Sequence, residues 1–356
     1  MPAIAVADAL RAEGARVSFL GTRDRAESEL VPAAGYEIDF ISVSGLHRRN
    51  PLRAALALAR AARAVPAARR VLVARRADAV LGGGGYVAGP AGLAAVRMGL
   101  PLVLTEADSH LGLANRMLAR RARRVCLAFP IPGREGDPYL VTGRPVPRAV
   151  LEADRAAARA RFGLADGARC LAVFGGSQGA RTINRAALEA FAGAETDVVH
   201  VAGRRDFPEL RSRLESAGSP PHYRLLDYEP DLGEVLAASD LVLARAGGSV
   251  FEIAAAGRPA VLVPYPHATG DHQTTNARWM SEGGGAVVIP DERLTPEDLA
   301  ATITPLLADG RRLEEMSAAS RRLAKPDAAE QVAREILDAV AEGSAAGARG
   351  TGGPRE

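Results

Sequence analysis

The chain has 356 residues, 47% of them hydrophobic and 24% charged, which fits two ordinary domains with packed cores and excludes wholesale disorder. Net charge is +3 but unevenly spread: residues 1–150 carry 22 arginines against 12 acidic residues, and the remainder carries 23 basic against 30 acidic residues. No apolar run reaches the ~18 residues of a membrane-spanning helix, no signal peptide opens the chain, and Cys126 and Cys170 lack the spacing of a disulfide or metal framework.

The chain opens on an amphipathic helix, Pro2 to Glu13. An α/β domain normally begins with a strand and loop feeding such a helix, so two expectations stand: a start codon assigned too late, or a first domain that lacks its first βα loop. Strands are predicted at 16–21 and 36–43. The stretch 46–76 then carries Leu52, Leu56 and Leu58 among Arg53, Arg60, Arg63, Arg69 and Arg70. It reads either as a solvated helix face or as a surface helix on an anionic membrane, each arginine contributing roughly 1 kcal/mol there. Aromatic residues are only 4% of the chain, so stacking platforms are scarce and no nucleic-acid partner is predicted.

A strand at 78–82 feeds GGGGYVAGPAG, where four glycines remove side chains from a close approach. The strand at 100–106 ends in Thr105, Glu106, Asp108 and His110, with Asn115 a turn on. A carboxylate beside an imidazole is a candidate acid/base pair; a polar helix start is the plainer reading. A strand at 124–129 follows. The Gly/Pro-broken segment 143–150 sits where the charge balance flips, and a linker is placed there.

The second half predicts strands at 170–174, 197–202, 222–227, 241–244, 259–263 and 286–289. Unbroken apolar runs alternating with helices argue for doubly wound parallel α/β domains. After Phe174 comes GGSQGARTIN, a glycine turn opening a helix. Gly176, Ser177, Gln178 and Gly179 suit a phosphate at a helix N-terminus; a tight turn without ligand is the alternative. The sequence is neither a Walker A loop nor G-x-G-x-x-G. After the strand at 241–244, RAGGSVFEIAAAG opens another helix with Gly247, Gly248 and Ser249. Glu252, one turn in, suits a ribose diol or simply the helix dipole. Asp271, His272, Gln273 and Asn276 cluster at a later helix start, which suits sugar hydroxyls, with capping by Asp271 as the plainer reading. The tail 343–356 is Gly/Ala-rich and predicted to lack structure.

Together GGGGYVAGP (82–90), GGSQGARTIN (175–184), RAGGSVFEIAAAG (245–257) and DHQTTNA (271–277) resemble the MurG family, from Pro2 to about Val340. The resemblance implies a GT-B fold: two Rossmann-like domains facing a cleft, 1–147 and 148–326, with a helix at 327–342 packing back on the first. It implies an inverting transfer of GlcNAc from UDP-GlcNAc to the C4 hydroxyl of undecaprenyl-linked lipid I, giving lipid II, at the cytoplasmic face of the membrane. No tightly bound cofactor or metal is implied.

On the donor side the resemblance places Ser177 with Gly176, Gln178 and Gly179 at the diphosphate and Glu252 at the ribose. The backbone after Tyr228, near Glu229, faces uracil, and His272, Gln273 and Asn276 face the sugar. Arg245, Gly247, Gly248 and Ser249 complete that set. On the acceptor side it places Gly84, Gly85, Tyr86, Asp108, Asn115 and Arg148. The family's glycine-rich first loop and its histidine, a candidate base, have no counterpart after Met1. The family's His-Glu-Gln-Asn reads Thr105-Glu106-Ala107-Asp108, and its Asn-Pro-Val-Arg reads Arg144-Pro145-Val146-Pro147, with Arg148 one place late. The base is therefore unassigned, with Glu106, Asp108 and His110 as candidates. Two other outcomes stand beside this one: a GT-B transferase with another acceptor, and a catalytically impaired nucleotide-sugar-binding protein.

Overall fold

A computed structural model describes residues 2–43, 51–175, 180–268 and 271–350, with side chains except at 51–62 and 344–350. The chain forms two compact units: Met1–Pro145 with Asp327–Glu356, and Val146–Pro326.

The first unit runs α1 (Pro2–Ala12), β1 (Ser18–Gly21), α2 (Glu27–Ala33), β2 (Glu37–Phe40), α3 (Pro51–Arg75), β3 (Val80–Gly82), α4 (Gly85–Met98), β4 (Leu102–Glu106), α5 (Leu113–Leu118), β5 (Arg124–Leu127) and β6 (Tyr139–Val141). Its strands form two separate parallel sheets, β1-β2 and β3-β4-β5-β6. Among the described residues no strand pairs with the outer side of β1 or of β3. The sequence did not predict β6, which is short and half exposed and so lacks the apolar run that marks the others.

The second unit runs α6 (Arg148–Glu152), α7 (Arg155–Arg161), β7 (Cys170–Phe174), α8 (Arg181–Phe191), β8 (Asp197–Val201), α9 (Phe207–Ser216), β9 (Tyr223–Leu226), α10 (Leu232–Ala238), β10 (Leu241–Ala244), α11 (Ser249–Ala255), β11 (Ala260–Leu262), α12 (His272–Glu282), β12 (Ala286–Val288), α13 (Pro296–Ala308) and α14 (Gly310–Leu323). Six parallel strands take the order β12-β11-β10-β7-β8-β9. Strands β7, β10 and β11 are buried along their whole length, as strands covered on both faces must be. Leu171, Val173, Ile183, Phe191, Leu241 and Leu243 anchor the core on one face.

Register matters more than order here. Val288 pairs with Leu262, Leu262 with Ala244, Ala244 with Phe174, Phe174 with Val201, and Val201 with Leu226. The carboxyl ends of all six strands are therefore level, and their exit loops share one edge. Ligands of open α/β sheets bind at such an edge.

The chain then returns to the first unit as α15 (Ala328–Gly350). Val332, Ala333 and Ile336 pack with Val6, Leu10 and Val103. Glu335 receives Arg124 at 2.7 Å, and Glu342 receives Arg123 through two bonds of 2.8 and 2.7 Å. The helix runs to Gly350, so the first residues of the predicted structureless tail are helical. Residues 351–356 lie outside the described residues.

Candidate functional site

The second unit's level edge gathers the described residues of the predicted donor set. Gly176, Ser177, Gln178 and Gly179 lie outside the described residues. Gly175 does not: a Cβ there would come within 2.1 Å of the Ala180 Cβ and 2.8 Å of its nitrogen, so β7 and the start of α8 meet too closely for any side chain.

The first turn of α8 is held on two sides. Thr182 donates its hydroxyl to Asp291 at 2.9 Å and receives Arg245 at 2.7 Å. Asn184 is fully buried and donates its amide to the Ala202 carbonyl (2.9 Å) and Asp206 (3.1 Å). Its Oδ1 meets Nε2 of His200 at 3.0 Å, and the other ring nitrogen meets the Tyr223 hydroxyl at 2.7 Å. Burial holds the His200 imidazole neutral, down to about 3, and pushes the Tyr223 phenol up. Tyr223 therefore donates to Nδ1, and Nε2–H donates to Asn184. Sequence reasoning missed this network. Its one signal was a histidine inside the apolar run of β8.

Arg245, read from the sequence as a donor contact, is placed differently. It is 7% exposed. One terminal nitrogen donates to Asp291 at 2.5 Å and to the Val263 carbonyl at 3.2 Å, and the other donates to Thr182. Both are spent inside the protein. Asn276 is likewise inward: 4% exposed, it donates to the Ala246 carbonyl at 3.0 Å and ties α12 to the β10 exit. Gln273 accepts the Tyr265 N–H at 2.9 Å and ties α12 to the β11 exit.

Other residues line the edge with more access. Gly247, Gly248 and Ser249 are half-buried where α11 starts. A Cβ on Gly247 would meet nothing within 4 Å, so packing does not demand glycine there. Glu252 is half-buried in the first turn of α11, and His272 is half-buried at the start of α12. Asp271 forms no backbone cap; its φ is +54°, and its carboxylate accepts the Thr274 hydroxyl instead. Tyr228 is exposed, with the Arg204 guanidinium 4.8 Å from its ring centroid. The Glu229 carboxylate turns inward to Arg161 (2.6 Å) and to the Asp231 N–H (3.0 Å).

In the first unit, Gly84 and Gly85 adopt φ of +81° and +73°, a region that L side chains rarely enter. Tyr86 follows, half exposed, with Arg25 4.8 Å from its ring centroid. Glu106 is 8% exposed and is not presented as a base. It accepts from the backbone N–H of Ala107 (3.1 Å), Asp108 (3.3 Å) and Gly112 (2.7 Å) and from the Asn115 amide (3.0 Å). Asn115 also donates to the Thr105 carbonyl at 2.9 Å. The two side chains thus organise the loop that presents half-buried Asp108 and exposed His110. Arg148 falls in the second unit, where it is exposed and donates to Glu152 at 2.6 Å. Among the described residues no group of three acidic, His or Cys side chains is placed to hold a metal ion, and no helix is long and apolar enough to cross a membrane.

The chain matches the glycosyltransferase family 28 N-terminal domain over residues 1–127 and the C-terminal domain over 170–332. It is 43% identical over 98% of its length to a Mycobacterium sp. (strain KMS) protein named UDP-N-acetylglucosamine--N-acetylmuramyl-(pentapeptide) pyrophosphoryl-undecaprenol N-acetylglucosamine transferase, covering 94% of that protein. A Rubrobacter xylanophilus protein of the same name is 41% identical over 95% of this chain and 100% of its own. Among solved structures, Acinetobacter baumannii MurG superposes with a TM-score of 0.73 at 30% identity, covering 95% of each chain. The calicheamicin glycosyltransferase CalG4 superposes with a TM-score of 0.68 at 20% identity and shares the fold. Identity of this order over nearly the full length, with both halves matched, means that the chain belongs to the MurG family of family 28 glycosyltransferases.

Proposed function

We propose that this chain transfers GlcNAc from UDP-GlcNAc to the C4 hydroxyl of the lipid I muramyl sugar, giving lipid II. One observation carries the reading on the donor side. The exits of β7, β10 and β11, each followed by a family-matched motif, stand side by side at one level sheet edge. The hydroxyl oxygen attacks the anomeric carbon, the bond from that carbon to the phosphate oxygen breaks, and UDP leaves with the electron pair. The acceptor proton passes to a base, for which Asp108 and His110 remain candidates. Backbone N–H groups at the start of α8 favour the developing diphosphate charge. Glu252 holds the ribose diol, His272 and Gln273 read the sugar, and the backbone beside Tyr228 meets uracil. Gly84, Gly85 and Tyr86 serve the acceptor.

The test is transfer from UDP-GlcNAc to a short-chain lipid I analogue, run beside Glu252→Ala. Losing charge-assisted bonds to the diol costs about 1.5–3 kcal/mol, roughly ten- to a hundredfold in donor affinity. Unchanged donor affinity in a folded variant would remove Glu252 from the site. Donor binding without transfer would favour the impaired nucleotide-sugar-binding protein instead.

The same reading places the chain peripherally on the anionic cytoplasmic face of the membrane, docked through its first unit. Supporting it, Leu113 and Met117 stand exposed one turn apart on α5, with Arg116, Arg120 and Arg121 exposed beside them. Arg63, Arg69 and Arg70 are exposed on α3, while Leu52, Leu56, Leu58, Arg53 and Arg60 have side chains outside the described residues. Co-sedimentation with anionic vesicles is expected to fall as salt rises, because screening shortens the reach of these charges. Equal binding to neutral vesicles would contradict the electrostatic part.

A further inference from the structure

Asp291 stands outside every motif that marks the site, yet it closes a cluster joining them. It follows β12, at the end of the level edge. Its Oδ1 accepts from Arg245 at 2.5 Å and from the Thr182 hydroxyl at 2.9 Å, while Arg245 donates to that same hydroxyl at 2.7 Å. Three side chains thus form a closed ring of hydrogen bonds. Arg245 belongs to the β10 exit, Thr182 to the first turn of α8 beyond β7, and Asp291 to the β12 exit. Arg245 also reaches the Val263 carbonyl of the β11 exit. The Tyr265 ring lies 5.4 Å from the guanidinium carbon, and the Tyr265 N–H is held by Gln273 of α12. The exits of four adjacent strands are therefore referred to one buried guanidinium.

We infer that Asp291 is a positioning residue for donor binding. It acts through Arg245 and Thr182 to fix the start of α8 against the β10 exit. The side chains of Arg245 and Asp291 are 9% and 15% exposed. Desolvation offsets much of the attraction in a buried ion pair, so such a pair is weak evidence for stability. What its directed bonds fix is geometry. Thr182 adds directionality, since a hydroxyl has one proton to give and gives it to Asp291 while accepting from Arg245. With Asp291 removed, Arg245 keeps a buried charge without its counterion and turns to other acceptors, and the start of α8 and the β10 exit lose their common reference. Small misplacements of binding groups have large effects on affinity and rate.

This inference rests on the UDP-sugar reading above, and the test separates the two. Binding of UDP is measured by calorimetry for the wild type, Asp291→Ala, Asp291→Asn, Thr182→Val and the Asp291→Ala/Thr182→Val pair, well below melting. Emission of Trp279 reports the fold of this unit. The expected result is about a tenfold or greater weakening in Asp291→Ala. Asp291→Asn, which keeps the acceptor oxygen, falls between. The double variant is no weaker than Asp291→Ala alone, because coupled residues are not additive. Thr182→Val keeps the ion pair and carries the test if Asp291→Ala does not fold. UDP affinity unchanged in the folded variants, or fully additive losses, would overturn the positioning role while leaving the donor reading intact. A wild type that binds neither UDP nor UDP-GlcNAc would overturn both.

Discussion

Replacing His200 with glutamine is expected to destabilise the second unit at pH 7 and to remove part of its acid sensitivity. His200 is fully buried, and both ring nitrogens are engaged, one by the Tyr223 hydroxyl at 2.7 Å and the other by Asn184 at 3.0 Å. Glutamine can serve one of these partners, so at least one buried polar group is left unpaired, at about 1–3 kcal/mol. The pH effect follows from the proton count. Folded His200 titrates at about 3 and the unfolded residue near 6.5. Above 6.5 both states are neutral and the stability is complete. As pH falls through that value the unfolded chain takes up a proton that the folded chain refuses, so stability is lost at about 1.4 kcal/mol per pH unit until the folded value is reached. From pH 7 to pH 5 the wild type should lose roughly 2 kcal/mol through this residue alone. His200→Gln should lack that increment. Trp279, the single tryptophan, stacks on Phe251 at 5.0 Å within this unit, so urea unfolding followed by its emission isolates the right transition. An acid limb equally steep in the variant would show that another group carries it.

The fold was legible because the buried parallel strands announce themselves. CLAVF, DVVHV and LVLA are apolar runs bounded by turns, and each became a strand of the level sheet. The sequence also exposed the opening helix, because Val6 and Leu10 stand one turn apart and both became buried. It did not expose how the first unit's strands divide into two sheets. Strand pairing is a long-range property, and no local pattern records it. The weak strand β6 escaped for a related reason: its stability comes from pairing with β5, not from its own half-exposed residues.

At the site, glycine turns and helix starts were legible, and the division of labour among the polar residues was not. Arg245 and Asn276 belong to motifs that open helices at the sheet edge, so each read as a ligand contact. Their actual partners are far along the chain: Asp291 for Arg245, and the Ala246 carbonyl for Asn276. A buried polar side chain must find such partners, but sequence spacing cannot say which ones. The same blindness separates Glu106 from Asp108. Two residues apart, they look equivalent on paper, yet one is an internal acceptor for four donors and the other is half-buried at the loop.

Glu106→Gln should therefore lose stability before it loses chemistry. The carboxylate accepts from three backbone N–H groups and the Asn115 amide, and it is 8% exposed. Its Oε1 takes Ala107 and Asp108, and its Oε2 takes Gly112 and Asn115. An amide has the same shape but turns one of these acceptors into a donor. Whichever way the glutamine lies, two donors then face an NH2 group. Hydrogen bonds to a charged group contribute about 1.5–3 kcal/mol each, and unsatisfied buried donors cost a similar amount. A net loss of about 3–5 kcal/mol from the first unit is expected, with the 107–112 loop released from β4 and α5. Because Asp108 and His110 ride on that loop, acceptor turnover should fall as well, while donor binding in the second unit should not change. Calorimetric melting with a parallel UDP titration separates this from a role as base. A catalytic base of the same size, once neutralised, stops turnover and leaves melting unchanged. Loss of turnover at an unshifted melting temperature would return Glu106 to the reacting centre; lowered melting with intact UDP binding would leave Asp108 and His110 as the residues to mutate next.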